Sequence, residues 1–345
     1  MRVRSPPRAL NERLVHPELV DDGKSGDACS QGVGRGVSAA TAMKLAPRRI
    51  ERVLLIVNPA SRRGNRIRTK ALKAFSDAGV ACDMMRTEAP GHAGVIAKAH
   101  AHKYDAVFTL GGDGTVMEVL SALAHQGPPV GVLAGGTANV VARTLRIPLN
   151  PARAVPLLLA GDQATMDLGR LGDGRRFAIG VGVGLDATMI SEAPDRLKKR
   201  FGFMAYVIGG YKAVLRNRKF HLRLTVDGVV YERTASAILV ANFGAVLNDL
   251  VAFGDGIVHD DGLLNACVFS PDSLWDALRI LWRMLRKDFG ADPCLFYKSG
   301  REFTVETIPP MIAQADGELL PDTPLSVSVD PLAGCLLIPK RGKTE

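Results

Sequence analysis

The sequence predicts a two-domain fold, a doubly wound α/β domain followed by a β-rich, sandwich-like domain. Between residues 50 and 167, short continuous apolar runs alternate with segments of helical spacing, the signature of a parallel sheet covered on both faces. After about Asp167 the apolar runs become strand-like, and Asp-Gly pairs separate several of them. The length, 345 residues, exceeds what one hydrophobic core usually serves.

The elements follow in order. Residues 1–49 mix Pro, Gly, Ser and charge without periodicity and read as a disordered or misassigned extension; Met43 opens MKLAPRRIERVLLIVNP, which has the form of a natural start. RVLLIV (52–57) is a buried parallel strand, and residues 66–78 carry helical spacing that ends at Gly79. A strand over 80–85, a helix over 91–101, a strand over 106–110 and a helix over 116–124 follow. A fourth strand (130–134) precedes GGTAN and a helix reaching about Leu145. The second half reads as a strand over 177–184, a long basic helix over 195–218, a hairpin (221–232) turning at Asp227-Gly228, and strands at 236–243, 263–269, 302–308 and 325–329. An amphipathic helix interrupts them near 272–289.

Composition narrows the function classes. Hydrophobic residues make up 47% and charged residues 23%, ordinary for a globular protein. The net charge of +9 suits an anionic surface or a nucleotide, and plain solubility explains it equally well. Nucleic-acid binding would rest on charge alone, since no recognised module appears. Five cysteines without a CxxC spacing indicate neither a zinc knuckle nor a disulfide framework, which fits a cytoplasmic protein. No apolar run reaches the length of a membrane span.

Three loops carry the chemistry. GGDGT (111–115) follows a strand and opens a helix, so its amides face whatever anion sits there, and its glycines let a phosphate approach the backbone. Asp113 would repel phosphate unless a cation lies between, so it reads as a metal or water-network residue. The loop is neither GxxxxGK[ST] nor GxGxxG. Alone it is equally well an ordinary turn. NPASRRGN (58–65) and GGTAN (135–139) also follow strands, and such loops converge on one crevice in a doubly wound sheet. Together they point to a nucleotide. DDGLL (260–264) and ADGEL (315–319) supply carboxylates, either as hairpin turns or as chemistry; Glu318 is an acid that a turn does not need.

VNPASRRG, TEAPGHA (87–93), LGGDGTVMEVLSAL (110–123), GGTANVVAR (135–143), MDLGR (166–170), GVGLDA (182–187), DDGLLN and DGE occur in that order. Over residues 50 to 340 the chain resembles the diacylglycerol kinase/sphingosine kinase catalytic superfamily, in its bacterial soluble lipid kinase branch. The resemblance implies ATP- and Mg²⁺-dependent phosphorylation of a lipid hydroxyl, most simply that of diacylglycerol. It implies a nucleotide domain like those of NAD kinases and phosphofructokinases over 50–167, completed by about 331–345, and a lipid-binding β domain over 168–330. By this resemblance Asn58, Pro59, Ser61, Arg62 and Thr87 belong to the ATP pocket. Gly111, Gly112, Asp113, Gly114, Thr115, Val116 and Met117 match the phosphate loop, and Gly136, Thr137 and Asn139 the second glycine loop. Glu318 matches the proton acceptor, with Asp113 or Asp316 as the fallback. Asp113 and Asp167 match acids of the Mg²⁺ network; Asp261, with backbone near Val258 and Leu263, matches a second, structural Mg²⁺ site. One position departs: many members carry Asp where this chain has Val140, which leaves open an altered or weak kinase acting as a nucleotide- or lipid-binding regulator. An NAD kinase-like enzyme is the other alternative.

The helix at 272–289 places Leu274, Leu278, Leu281, Trp282, Leu285 and Phe289 on one face and Arg279, Arg283, Arg286 and Lys287 on the other. Such a helix packs on the β domain or lies on an anionic membrane, which would make the protein cytoplasmic and peripherally membrane-associated. The basic segment 197–219 could line a lipid cleft or pack. A homodimer is the assembly considered, without a motif that sets it.

Overall fold

A computed structural model describes residues 49–59, 64–184, 219–242, 245–246, 251–252, 260–286, 288 and 290–340. The expected N-terminal extension up to residue 48, the basic helix over 195–218, and Ser61, Arg62 and Val258 lie outside these residues.

The first half alternates strand and helix: β1 (Arg52–Val57), α1 (Gly64–Asp77), β2 (Ala81–Arg86), α2 (His92–His100), β3 (Ala106–Gly111), α3 (Asp113–Ala122), β4 (Val130–Ala134), α4 (Val140–Thr144) and α5 (Pro151–Leu159). β1 pairs in parallel with both β2 and β3, and β3 with β4, giving the order β2-β1-β3-β4. The chain direction across the sheet reverses between β1 and β3, which opens a crevice beyond their carboxyl ends. All six residues of β3 and five of β1 are buried, as a strand covered on both faces requires. Phe75 of α1 meets Phe108 of β3 edge-on at 4.9 Å between ring centroids.

The second half is antiparallel. β5 (Asp162–Leu171), β6 (Arg176–Phe177), β7 (Gly180–Val183), β8 (Phe220–Val226), β9 (Val229–Ala235) and β10 (Ala237–Ala241) are followed by the short pair β11 (Ala245–Val246) and β12 (Val251–Ala252). β13 (Leu264–Phe269), α6 (Leu274–Arg286), β14 (Leu295–Gly300), β15 (Glu302–Ile308), β16 (Ala313–Ala315), β17 (Glu318–Leu320) and β18 (Leu325–Ile338) complete the described elements. Six strands form one sheet in the order β14-β13-β10-β7-β16-β17. β15, β8 and β9 extend the first sheet beyond β18. Leu222, Leu224, Phe303 and Val305 on that extension share a core with Val181, Val240 and Val268 of the six-stranded sheet. This is a β-sandwich beside an α/β domain.

β18 joins the two halves. Residues 325–328 pair with β15, and Leu336 pairs in parallel with Val130 of β4. Along the same strand β5 runs antiparallel, with an irregularity between Asp330 and Gly334 where Leu332 adopts φ +51°. Asp167 holds this bulge. One oxygen of its fully buried carboxylate accepts from Leu332 N at 2.7 Å, and the other accepts from Gly262 N at 2.6 Å. Asp330 adds a second tie, accepting from Arg176 Nε and facing His125 Nε2, each at 2.6 Å.

Candidate active site

The three loops meet at the carboxyl ends of the parallel strands. Asn58 N donates to Leu110 O, and Thr87 N to Val57 O, both at 3.0 Å, so the ends of β1, β2 and β3 are in register. Asn58 Nδ2 also donates to Thr115 Oγ1 at 3.3 Å, tying the loop after β1 to the first turn of α3. Thr115 is buried there, and Gly112 occupies the N-cap without a side-chain cap.

The glycines of the two Gly-Gly loops divide into two kinds. Gly135 N and Gly136 N both donate to Gly111 O, at 2.8 and 3.0 Å, so the loops stack backbone on backbone. A Cβ on Gly136 would lie 2.6 Å from Gly112 Cα, which explains that glycine by packing alone. Gly114 differs: it is helical, no unusual φ demands glycine, and a Cβ there would meet nothing within 4 Å. Its missing side chain leaves open space over the first turn of α3, the place where phosphate oxygens would approach the amides.

Asn139 has φ +49°, and its amide closes the second loop on itself: Oδ1 accepts from Gly136 N at 2.8 Å and Nδ2 donates to Gly136 O at 2.9 Å. Both ends of that side chain therefore shape the loop, while Thr137 stands exposed at its tip. Glu118, which the sequence reading left unassigned, accepts from Gly91 N and Ala93 N at 2.9 Å each and so caps α2 from α3. That anchors the Thr87–Ala93 loop to the helix that opens with Asp113. The signal for it was an acid three residues beyond the GGDGT loop, with no basic residue on its own helix to pair with.

Two carboxylates, one from each half, lie near enough for the charge of Asp113 to be felt at Asp316. Asp113 turns to the start of α4, where Oδ1 accepts from Val141 N at 3.1 Å. Burial raises its pKa above the ordinary carboxylate value, and the amides around Val140 and Val141 partly offset this. Val140 thus stands where its backbone, with Val141, faces Asp113. Asp316 occupies the first turn position of the β16–β17 hairpin, with φ +49° followed by Gly317 at +90°, a type I′ geometry. Its Oδ2 accepts from Ala178 N at 2.8 Å, and Oδ1 from Ile179 N and Gly180 N at 2.9 and 3.0 Å. Burial pushes its pKa up to about 6 against the pull of those amides, and the Asp113 charge adds to the rise. Asn242 braces the same segment, its Nδ2 donating to Ala178 O and to Asp167 O at 3.1 and 2.7 Å.

The Asp316 pKa has a consequence for stability. Between the ordinary value of 3.8 and about 6, the folded protein holds a proton that the unfolded chain has released. This group's contribution to stability is therefore greatest below that window and falls as pH rises through it. Carboxyl NMR should show Asp316 titrating near 6, and Asp113→Asn should lower its midpoint by removing a like charge. A midpoint that does not move would separate the two carboxylates.

Glu318 pairs with Ala315 across the hairpin and is exposed, with Arg175 as a charged neighbour. Asp261 Oδ1 accepts from Leu263 N at 2.9 Å; burial and the nearby Asp167 charge raise its pKa. Asp167 and Asp261 are thus neighbours, but Asp167 spends both oxygens on backbone amides. Among the described residues, no three His, Cys, Asp or Glu side chains gather closely enough to hold a metal by themselves. That fits a Mg²⁺ ion only in the manner common with nucleotides, where one or two carboxylates share it with phosphate oxygens and water.

The fold and its loops place the chain among two-domain kinases built from a doubly wound nucleotide domain and a β-sandwich. It is a lipid kinase with a diacylglycerol kinase catalytic domain: the model of that domain matches residues 52–171, and that of the YegS C-terminal NAD kinase beta sandwich-like domain matches residues 180–338. A diacylglycerol kinase of Staphylococcus aureus (strain bovine RF122 / ET3-1) is 27% identical over 277 residues, covering 78% of this chain and 86% of its own. An uncharacterized Synechocystis protein is 30% identical over 230 residues, 65% of this chain; the match spans about half, 53%, of that relative. A crystal structure of a candidate diacylglycerol kinase from Bacillus anthracis str. Sterne superposes with a TM-score of 0.72 at 26% identity, over 84% of this chain and 98% of that one.

Proposed function

We propose that the chain transfers the γ-phosphate of ATP, with Mg²⁺, to the hydroxyl of diacylglycerol or a closely related lipid. One observation carries the reading: the first turn of α3, opened by the GGDGT loop, is left uncovered at Gly114, where a Cβ would meet nothing within 4 Å. In this reading residues 50–167 and 331–345 hold the nucleotide, and residues 168–330 hold the lipid. When bound, ATP supplies the phosphoryl group, and Mg²⁺ offsets the charge on its oxygens. The first-turn amides of α3 orient the phosphates, Thr115 and Asn58 fix that turn, and Asp113 would share the cation with them. Glu318 takes the proton of the lipid hydroxyl. It is the acid of the DGE turn whose oxygens are not loaded with backbone amides, whereas each oxygen of Asp316 already accepts at least one.

The test is labelled ATP with a lipid panel and NAD as competing acceptor, with Mg²⁺ present or chelated. Label on diacylglycerol, lost on chelation, is the expected outcome. Label on a sphingoid base instead would move the acceptor, and label on NAD would overturn the reading.

A further inference from the structure

Helix α6 turns part of its apolar face to solvent. Ile280 and Met284 are the buried side chains, at 5% and 7% exposure. Trp275, Leu278 and Trp282 face solvent at 79%, 40% and 57%, and their spacing of three and four puts them on one stripe. They include both tryptophans of the chain. Two arginines of the other face are committed within the protein. Arg283 Nη1 reaches Asp292 at 2.8 Å, and Nη2 donates to Gly290 O at 2.7 Å. Arg279 Nε lies 3.2 Å from the same Asp292, whose side chain is 2% exposed. These two guanidiniums hold Asp288 and the segment 290–292 against the helix.

What remains outside is apolar with a cationic flank. The Arg286 guanidinium sits 4.8 Å over the Trp282 ring. The one acid of the helix, Asp276, accepts from Ser273 N at 3.0 Å and pairs with Arg279 at 3.1 Å, so it does not oppose an anion at the stripe. The stripe also has a path to the catalytic loops. α6 packs on β12, β12 pairs with β11, and β11 packs on α4, the helix that follows the second glycine loop.

We infer that α6 docks the enzyme on the lipid bilayer, with Trp275, Leu278 and Trp282 inserted among the headgroups and Arg286 against lipid phosphate. Tryptophan suits that depth, with an apolar ring and one N–H for the wet side. A second protein copy is less well matched, because the acceptor of a lipid kinase lies in a bilayer and the flank of the stripe is cationic. The inference rests on the lipid kinase reading for its occupant. Since Arg279 and Arg283 are engaged by Asp292, apolar insertion and not net charge holds the protein on the membrane.

The experiment is flotation with phosphatidylcholine vesicles, with and without phosphatidylserine, combined with tryptophan quenching by brominated acyl chains. Both tryptophans lie on α6, so the quenching reports on this helix alone. Binding to neutral vesicles should survive about 0.5 M salt, where exposed charges are screened beyond a few ångströms. The Trp275→Ser/Trp282→Ser double variant should partition at least about tenfold less. It should keep its melting temperature and its activity on detergent-dispersed diacylglycerol; Leu278→Ser should show a smaller loss. Wild-type partitioning by the double variant, binding without quenching, or binding abolished by salt would each overturn the inference. So would a wild-type dimer that the variant dissolves while neither binds vesicles. Failure of the detergent assay in the wild type would instead count against the acceptor reading and leave the vesicle result to stand on its own.

Discussion

Glu318→Gln will bind ATP as the wild type does and lose turnover by roughly 10²–10⁴-fold, the usual contribution of a positioned general base. The geometry separates this residue from its neighbours in the same turn. Asp316 supports the fold: three consecutive amides, those of Ala178, Ile179 and Gly180, converge on its carboxylate. Asp316→Asn would set an NH₂ group against an amide N–H, which costs about 1–3 kcal/mol for a buried donor left unpaired. Its activity loss would therefore come with a lower melting temperature. Asp113 is likewise engaged, at the start of α4. Glu318 is exposed on β17, so the glutamine should fold normally. Steady-state kcat beside a nucleotide Kd from calorimetry distinguishes these cases. Near-normal turnover in Glu318→Gln would remove it from the role of base.

Two alanine substitutions in the paired glycine loops should move stability in opposite directions, and the first should also weaken nucleotide binding. Gly114 lies in the first turn of α3 with open space where a side chain would go. Alanine there should raise stability by up to about 1 kcal/mol, because it restricts the unfolded chain more than glycine does. The same methyl enters the space reserved for phosphate, and nucleotide affinity should fall by at least about tenfold, or 1.4 kcal/mol. Gly136→Ala acts on packing. Its Cβ would sit 2.6 Å from Gly112 Cα, and backbone cannot swing aside as a flexible side chain can. A loss of about 1–3 kcal/mol is the ordinary scale for such overpacking. Thermal melts and nucleotide titrations of the two variants provide the comparison. A Gly114→Ala protein that is more stable and binds ATP as well as the wild type would show that the GGDGT loop is a structural turn.

The strands that sequence reading located best were those with the least choice. β1 and β4 match their expected bounds because a continuous apolar run between turn residues fits only a doubly covered strand. β15, at Glu302–Ile308, matches because alternating burial leaves one register. α5 was passed over: PARAVPLLL holds two prolines, yet Pro151 stands at the first helical turn, where it is tolerated, and Asn150 caps the helix by accepting from Ala152 N at 3.3 Å. β5 has no counterpart among the expected strands, since DQATMDLGRL has no clean alternation and is held by its pairing with β18. The expected strand over 325–329 stops short because Asp330, Pro331 and Leu332 interrupt the pattern, whereas β18 continues through a bulge held from outside by Asp167.

By itself the sequence determined the order of strands and helices, the glycine loops at the strand ends and the family motifs, because these depend on residues near one another in the chain. It also placed two tryptophans and the arginines on one amphipathic helix. Which way the charged groups face was decided only by tertiary structure. Asp167 is committed to amides 95 and 165 residues away, Asp316 to amides more than 130 residues away, and Arg279 and Arg283 to Asp292 beyond the end of their helix. A carboxylate or guanidinium takes the role of whatever partner offsets its desolvation, and that partner is set by the fold and not by the neighbouring residues.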